Sequence, residues 1–333
     1  MRGEPLQPKP KRVAGSPPPL GGYDADIIIL SLNRLQETHE AIKSALRQRG
    51  GTFHVTVLDQ GSEPKTLRGL SQAFSKSPYF ALYVAGRNLG VAGGRNLAAS
   101  LGHGHIVVAL DNDAVLENDW VVARAHQTFL QNPNLGALGF NILALDGKRP
   151  DISSWGYPKS LLRLFKVRFD TTTFVGAGHA IRRVTWNAVG GYDTDFFFTW
   201  EEYDFCLAAI ALNWRIAYDG RLAVIHKVSA EARVGWTARR MTYFVRNRLI
   251  IGRKWGQSWL SLTPRITGYL IKARLHGCFS AALLGVKAAV ATPIPNQRHM
   301  PKAMRLYIYK NETRHRGSWL HRLRFELLGR IQT

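Results

Sequence analysis

The chain has 333 residues, of which 45% are hydrophobic and 20% are charged, so it can bury a core and is not a wholly disordered protein. Two cysteines are too few for a disulfide scaffold or a cysteine-built zinc site, and they fit a reducing compartment. The formal net charge of +22 at pH 7 points to an anionic partner.

The positive charge is concentrated towards the C-terminus. Residues 23–230 hold 21 Lys and Arg against 19 acids, whereas residues 231–333 hold 20 against three. We therefore expect a nearly neutral globular domain over 23–230, followed by a basic helical region over 231–333. Residues 1–22 are rich in proline and lack the apolar core of a signal peptide, which predicts a disordered leader.

The longest candidate for a membrane segment is residues 275–286, which are free of Lys, Arg, Asp and Glu. A helix that crosses a membrane needs about 20 apolar residues, so this run is too short to span one. Lys272, Arg274 and Lys287 flank it, which favours a helix lying on an anionic membrane surface. The alternative is a solvated basic face that only keeps the protein in solution.

Predicted strands and helices alternate early in the chain, in the order strand 26–32, helix 37–49, strand 53–58, helix 66–74, strand 80–84, helix 93–101 and strand 105–110. This alternation predicts βαβ units, and hence an α/β fold with a mostly parallel sheet flanked by helices. Ligands bind such sheets at the carboxyl ends of the strands. Asn33, Asp59 and Asp111 each follow a strand end, so we expect them at one edge.

The segment Asp111-Asn112-Asp113 directly follows an apolar strand. Two carboxylates at this spacing can reach one divalent cation and a phosphate or ribose beside it, and oxygen ligands suit Mg²⁺ or Mn²⁺. The alternative is a turn in which these side chains only cap backbone amides.

A second acidic cluster is Trp200-Glu201-Glu202-Tyr203-Asp204, which follows three phenylalanines. A carboxylate among apolar neighbours can act as a general base, because burial raises its pKa. The alternative is the acidic first turn of a helix over 203–212, where negative charge is favourable.

These segments, taken in order, resemble the family 2 glycosyltransferases with a GT-A, Rossmann-like fold, and most closely their rhamnosyltransferase-like branch. The resemblance covers residues 25 to about 255. The similar segments are Ile29-Leu30-Ser31-Leu32-Asn33-Arg34, Val57-Leu58-Asp59-Gln60-Gly61-Ser62, residues 88–96, Asp111-Asn112-Asp113, Gly176-Ala177-Gly178, Gly190-Gly191-Tyr192-Asp193, Glu201-Glu202-Tyr203-Asp204, the region from Trp214 to His226, and Tyr243-Phe244-Val245-Arg246-Asn247.

The resemblance implies a nucleotide-binding role for residues near the first strand ends. Asp59 matches the acid that holds the nucleotide base, and Ser31 and Asn33 lie in the neighbouring loop. Arg95 and Asn96 match the region that flanks the nucleotide.

The resemblance also implies a metal site and a base. Asp111 and Asp113 match the acids that bind the metal and the sugar diphosphate, and His226 matches a third metal ligand. Glu202 matches the base that deprotonates the acceptor hydroxyl. The family commonly has Asp at this position, so either Glu201 or Glu202 could present the carboxylate. The family also tends to have Arg where this chain has Ala208, which removes a contact.

Four residues are predicted to lie on the acceptor side of the site, namely Gly178, His179, Trp200 and Asp204. The expected reaction is an inverting, metal-dependent transfer from a UDP-, dTDP- or GDP-sugar to a saccharide or lipid-linked acceptor, in cell-surface polysaccharide or glycoconjugate synthesis. The basic region would hold the protein at the cytoplasmic face of an anionic membrane.

Two other classes of function remain as alternatives. A basic nucleic-acid-binding protein would explain the charge, but no nucleic-acid-binding signature accompanies it and the two acidic clusters would have no role. A catalytically inactive sugar-nucleotide-binding homologue would have lost metal or base acids, and this chain retains them. We therefore expect no nucleic-acid partner.

Overall fold

The computed structural model describes residues 9–227, 236–295 and 297–328. The first eight residues of the predicted leader and the predicted domain boundary at 230/231 lie outside these ranges. The strands are β1 Lys11–Gly15, β2 Ala25–Ser31, β3 Phe53–Asp59, β4 Phe80–Val84, β5 Ile106–Leu110, β6 Ala114–Leu116, β7 Leu135–Leu143, β8 Arg168–Thr171, β9 Gly178–Arg182 and β10 Arg215–His226. The α-helices are α1 Leu35–Leu46, α2 Pro64–Phe74, α3 Gly90–Ser100, α4 Val121–Gln131, α5 Arg183–Val189, α6 Glu201–Ala211, α7 Ala238–Lys254, α8 Trp259–Leu275, α9 Phe279–Ala291, α10 Lys302–Asn311 and α11 Trp319–Leu328.

The strands form one mixed sheet in the order β1-β4-β3-β2-β5-β9-β7-β10-β6, with β8 paired to β10. Its first half is parallel from β4 through β5, and β7 is parallel to β10. Strand β9 runs antiparallel between β5 and β7, so its first residue, Gly178, lies beside Leu110 at the end of β5. The predicted α/β fold with a mostly parallel central sheet is confirmed.

The central strands are apolar on both faces because helices cover both sides of the sheet. Ile27, Ile29 and Val57 face one core together with residues of α1, α2 and α4. Ile28 and Leu58 face the other core with residues of α3 and α6. Successive side chains of a strand point to opposite faces, so continuous apolar runs fill both cores.

Part of the predicted disordered leader is ordered. Residues 11–15 form β1, which pairs antiparallel with β4 at the edge of the sheet. Pro10 and Pro17 lie outside the strand, so each residue within it retains a backbone N–H for pairing. The proline content predicted disorder, but the prolines only flank the strand.

The basic C-terminal helices pack against the sheet domain. Met241 and Val245 of α7, Tyr269 of α8 and Met304 of α10 share one core with Phe205 of α6. Within the described residues, every helix is too short or too polar to cross a membrane, as the sequence predicts.

Candidate active site

Strands β2 and β3 bring Ser31 and Asp59 together at the carboxyl edge of the sheet, where the two residues are paired in register. One oxygen of Asp59 accepts hydrogen bonds from the backbone N–H of Gly61 at 3.0 Å and of Ser62 at 2.9 Å. The hydroxyl of Ser62 accepts one from the backbone N–H of Asn33 at 2.7 Å. The three residues predicted to hold the nucleotide base, Ser31, Asn33 and Asp59, therefore lie in one cluster.

Two polar atoms of this cluster are buried without a partner among the described residues, namely Oδ2 of Asp59 and Oγ of Ser31. An unsatisfied buried acceptor costs free energy, so such atoms usually serve a ligand or a bound water. Asp59 can accept a hydrogen bond from a ring N–H, which uracil, thymine and guanine carry on their Watson–Crick edges and neutral cytosine does not.

The guanidinium of Arg95 joins the two acidic clusters. Arg95 projects from α3 and donates to Asp111 at 2.8 Å, to Glu202 at 2.8 Å and to the backbone carbonyl of Gly176 at 2.8 Å. Burial alone would lower the pKa of Arg95, but the charges of Asp111 and Glu202 outweigh it and raise the pKa. A permanently charged arginine thus fixes the first acid of the Asp-x-Asp segment against the start of α6.

The two glutamates at the start of α6 differ in environment. Glu201 is buried, and burial followed by the charge of Glu202 raises its pKa well above the usual range, although Arg95 opposes the shift. Glu202 is 15% exposed, and one of its oxygens contacts Arg95. Glu202 also packs directly on Gly176, where an added Cβ would overlap the carboxylate. Glu201 is therefore the buried glutamate, whose surroundings favour its neutral form, and Glu202 is the one that reaches the site.

The turn that presents these glutamates is strained. Thr199 and Trp200 both have left-handed backbone conformations, with φ of 67° and 72°, which are costly for residues other than glycine. Helix α7 holds the turn in place, because the side-chain amide of Asn247 donates to the carbonyls of Phe198 and Thr199, both at 3.0 Å. The indole N–H of Trp200 donates to the carbonyl of Phe244 at 3.0 Å.

Two carboxylates, those of Asp113 and Asp151, lie beside the two ring nitrogens of His226. Pairing of β6 with β10 places Ala114 opposite His226, so Asp113 lies beside the imidazole, with Oδ1 3.5 Å from Nε2. The other ring nitrogen, Nδ1, is 3.4 Å from Oδ2 of Asp151. Arg34 forms an ion pair with Asp113. Burial raises the pKa of Asp113, but the hydrogen bond and charge of His226 and the charge of Arg34 outweigh it, so the pKa is lowered.

This donor set fits a divalent metal ion. A metal-ligating histidine usually has a carboxylate or carbonyl on its other ring nitrogen, which fixes the ring orientation, and Asp151 has that position relative to His226. Asp113 and His226 would be ligands. One oxygen of Asp111 is held by Arg95, and Asp111 does not form a ready-made cluster with Asp113 and His226, so its side chain, which is 42% exposed, would have to turn to add an oxygen. Nothing in the sequence singles out Asp151 as a partner of a metal ligand, because Asp-Ile-Ser-Ser has the pattern of a capping turn, and Asp151 does accept from the backbone N–H of Ser153.

Several predicted site residues lie elsewhere. Asn96 does not reach the nucleotide cluster, because its amide is bonded in both directions to the backbone of Tyr192, at 2.7 and 2.8 Å. His179 is fully buried, donates to or accepts from the hydroxyl of Tyr192 at 2.8 Å, and stacks on Phe174. Burial, followed by the charge of Arg95, lowers the pKa of His179 well below its usual value. His179 is thus a neutral core residue and not part of an acceptor surface.

The structure also gives the positions of the other three residues predicted on the acceptor side. Gly178 is a buried strand residue packed against Val224. Trp200 packs against Tyr203 and Phe244. Asp204 is buried at a separate cavity of about 380 Å³ between α6 and the C-terminal helices.

Comparison with known proteins identifies the family. Residues 26–189 match the model of glycosyl transferase family 2. An uncharacterized protein of Haemophilus influenzae is 30% identical over 160 residues, which are 47% of this chain and 85% of that protein. The chain belongs to glycosyl transferase family 2.

Two further similarities agree with this assignment. A glucosyl-dolichyl phosphate glucuronosyltransferase of Haloferax volcanii is 25% identical over 176 residues, and the matched part spans only 54% of that enzyme and 50% of this chain. A mannosyltransferase of Pyrobaculum calidifontis, solved with GDP-Man and Mn²⁺, superposes with a TM-score of 0.58 at 17% identity, covering 95% of this chain and 88% of that one. This likeness shows the GT-A fold. The family match ends before Glu202 and His226, so their roles depend on the geometry described above.

Replacing Arg95 by methionine tests the importance of the buried ion pairs. The variant leaves the largely buried carboxylate of Glu202, and that of Asp111, whose side chain is 42% exposed, without their cation. Breaking a buried ion pair typically costs about 3–5 kcal/mol, and less where water reaches one partner. We expect Arg95→Met to lower the urea midpoint strongly. Arg149→Met is the control, because Arg149 is an exposed arginine that pairs with Asp146 at 2.6 Å, and it should leave the midpoint near that of the wild type. Equal midpoints for the two variants would contradict this account of Arg95.

Proposed function

We propose that the protein is an inverting, metal-dependent glycosyltransferase that moves a hexose from a nucleotide-sugar donor to a hydroxyl of a saccharide or lipid-linked acceptor. The observation that carries the proposal is the contact of one arginine, Arg95, with both Asp111 and Glu202. This contact fixes a diphosphate-binding acid and a candidate base around one point at the edge of the sheet. A nucleic-acid-binding protein would have no use for this arrangement.

The donor would lie across the carboxyl ends of β2, β3 and β5. Asp59 and Ser31 would bind the nucleotide base, since each has a buried acceptor oxygen without a partner among the described residues. Asp59 needs a hydrogen-bond donor on the base, and a ring N–H is present in uracil, thymine and guanine but not in neutral cytosine. This requirement favours UDP-, dTDP- or GDP-sugars over CDP-sugars. The resemblance to the rhamnosyltransferase-like branch favours rhamnose as the transferred sugar.

The chemistry needs an acceptor oxygen, a base and a leaving group in line. Glu202 would take the proton of the acceptor hydroxyl, because its side chain is partly accessible, whereas Glu201 is buried and its pKa is raised. Asp113 and His226, with Asp111, would hold a divalent ion such as Mn²⁺ or Mg²⁺. When bound, that ion neutralises the charge developing on the diphosphate. The acids next to Glu202 among the described residues have other places in this proposal, since Asp111 would meet the diphosphate and Glu201 is buried, which favours a single displacement with inversion.

The first experiment measures metal-dependent release of nucleoside diphosphate. The purified chain is incubated with UDP-, dTDP-, GDP- and CDP-sugars, with Mn²⁺ or Mg²⁺ and with EDTA as a control. We expect binding and slow turnover with at least one donor of the first three classes. Binding of a donor without turnover on any acceptor offered would favour an inactive homologue, and neither binding nor turnover would overturn the proposal.

Isosteric variants of the two glutamates separate their roles. We expect Glu202→Gln to retain donor binding and to lose transfer by at least about 100-fold, which is the usual contribution of a general base. Glu201→Gln should keep transfer, because glutamine has the shape of the protonated acid already present. Transfer rate and donor affinity are measured for both. Retained transfer in Glu202→Gln would move the base to another residue.

The stability of Glu201→Gln gives an independent check. The pKa of Glu201 is higher in the folded chain than in the unfolded chain, where it is about 4.5. As the pH rises above that value, the unfolded chain releases this proton first, so the free energy of unfolding of the wild type falls. Glutamine has no proton to release, so the variant does not lose this stability. The variant should therefore gain thermal stability relative to the wild type between pH 5 and pH 8, and the two should converge at lower pH.

Asp151 is proposed to orient His226 towards the metal. We expect Asp151→Asn to weaken binding of Mn²⁺ by about 10–100-fold, as is usual when an outer partner of a metal ligand is removed, while the capping acceptor for Ser153 is retained. Calorimetric titration with Mn²⁺ in the presence of donor measures the change. Asp146→Asn is the control, because Asp146 is a carboxylate of the same surface region that bonds only to its own turn and Arg149 in the contacts described. An unchanged affinity in Asp151→Asn would exclude this role.

We further propose that the C-terminal helices attach the enzyme to the anionic cytoplasmic surface of a membrane that bears the acceptor, in polysaccharide or glycoconjugate synthesis. The corner between α8 and α9 supports this, because it exposes large apolar side chains beside exposed cations. The apolar residues are Leu275, Phe279, Leu283 and Leu284, and the cations are Arg274 and Lys287. Apolar burial in the interface adds to an attraction of about 1 kcal/mol per cation near the surface.

A pair of equally exposed leucines tests the membrane surface. Leu284 in α9 and Leu130 in α4 are each 57% exposed, but only Leu284 lies in the proposed contact. We expect Leu284→Glu to reduce binding to phosphatidylserine-containing vesicles by about tenfold or more, because about 1.5–3 kcal/mol of leucine burial is lost. Leu130→Glu should sediment like the wild type. Equal sedimentation of all three proteins would remove this surface from the proposal.

A further inference from the structure

A cluster of two histidines and an aspartate lies at the edge of the sheet opposite the candidate active site. Asp24 precedes β2 and His105 precedes β5, and these parallel strands are paired in register from Ala25 and Ile106 onward. The two side chains are therefore neighbours at the amino ends of the strands. His126 reaches them from α4.

The geometry of the cluster suits a transition-metal ion. Each of the three residues offers one ligand atom, and these atoms lie within 4.8 Å of one another. Nδ1 of His126 is 3.3 Å from Oδ1 of Asp24, and the two imidazole rings are 5.7 Å apart between centroids. Ligands about 2.0–2.1 Å from a tetrahedral Zn²⁺ are about 3.3 Å apart, which is the distance already found between His126 and Asp24, and the ligand atom of His105 lies within 4.8 Å of both.

The surroundings hold the cluster in place. The second oxygen of Asp24 accepts from the backbone N–H of Thr52 at 2.8 Å, which turns the first oxygen towards His126. The side chain of His126 is only 12% exposed, and its Nε2 is buried without a hydrogen-bond partner among the described residues. His105 is exposed, so an ion can enter from solvent and keep a water as its fourth ligand.

We propose that Asp24, His105 and His126 form a binding site for Zn²⁺ or a similar borderline divalent ion, separate from the metal site at Asp113. Two nitrogen ligands and one oxygen ligand favour zinc, cobalt or nickel over Mg²⁺, which prefers oxygen. A bound ion would link the starts of β2 and β5 to α4 and stabilise this end of the sheet, without contact with donor or acceptor.

The test is a zinc titration of the full chain, prepared without a histidine tag, in competition with a chromophoric chelator. The variants are His105→Ala and, as a matched control, His103→Ala, which removes an exposed histidine two positions away on the same loop and outside the cluster. We expect the wild type and His103→Ala to bind one more equivalent of Zn²⁺ than His105→Ala. Zinc should also raise the melting temperature of the first two proteins more than that of the third.

Three outcomes would overturn the proposal. The first is the same zinc stoichiometry in all three proteins, because any bound ion would then be the one at Asp113. The second is an equal loss of bound zinc in His103→Ala and His105→Ala, and the third is no zinc binding by the wild type. His105 is exposed, so its replacement should not prevent folding, and circular dichroism of each variant verifies this. His126→Gln is a second test, because this variant should also bind one equivalent of Zn²⁺ less than the wild type.

Discussion

The buried guanidinium of Arg95 is the contact on which the site depends. A charged arginine inside a protein must have its hydrogen bonds met by acids or carbonyls, because its desolvation is otherwise too costly. Arg95 satisfies this requirement with Asp111 from the end of β5, Glu202 from α6 and the carbonyl of Gly176. Three segments far apart in sequence therefore have to converge. The same contacts that make the burial tolerable also bring Asp111, the acid proposed to bind the diphosphate, and Glu202, the candidate base, to one place.

Parts of this arrangement follow from the sequence, and parts require long-range contacts. Apolar runs followed by Asp59 and Asp111 are sufficient to predict parallel strands with acids at one edge, because the carboxyl ends of parallel strands meet there. The sequence does not reveal that β9 enters antiparallel beside β5, and that insertion is what brings Gly176 to Arg95. His179 illustrates the same limit. It lies beside the motif glycine, yet both faces of β9 are covered, so the side chain is buried.

The charge of the C-terminal region is partly internal. Arg248 lies over the rings of Trp200 and Tyr203, Lys254 bridges Asp193 and Asp204, and Arg265 pairs with Glu326. Burial lowers the pKa of Lys272, which lies inside the helical region and not on its surface. A net charge counted along the sequence therefore overstates the surface charge. For the proposed attraction to a membrane, the exposed cations beside the apolar corner of α8 and α9 are more important than the net charge of the whole region.

Contacts of this kind also connect the basic region to the candidate active site. A turn with two consecutive left-handed residues, Thr199 and Trp200, would relax unless neighbouring structure held it. Asn247 of α7 binds both carbonyls of that turn, and Arg248 covers the indole that follows. This turn sets the direction of α6, and hence the position of the Glu202 side chain. The C-terminal helices hold the strained turn from which the candidate base projects, and they also carry the surface proposed for membrane contact. Truncating them would therefore disturb the turn as well as that surface, and could not separate the two roles.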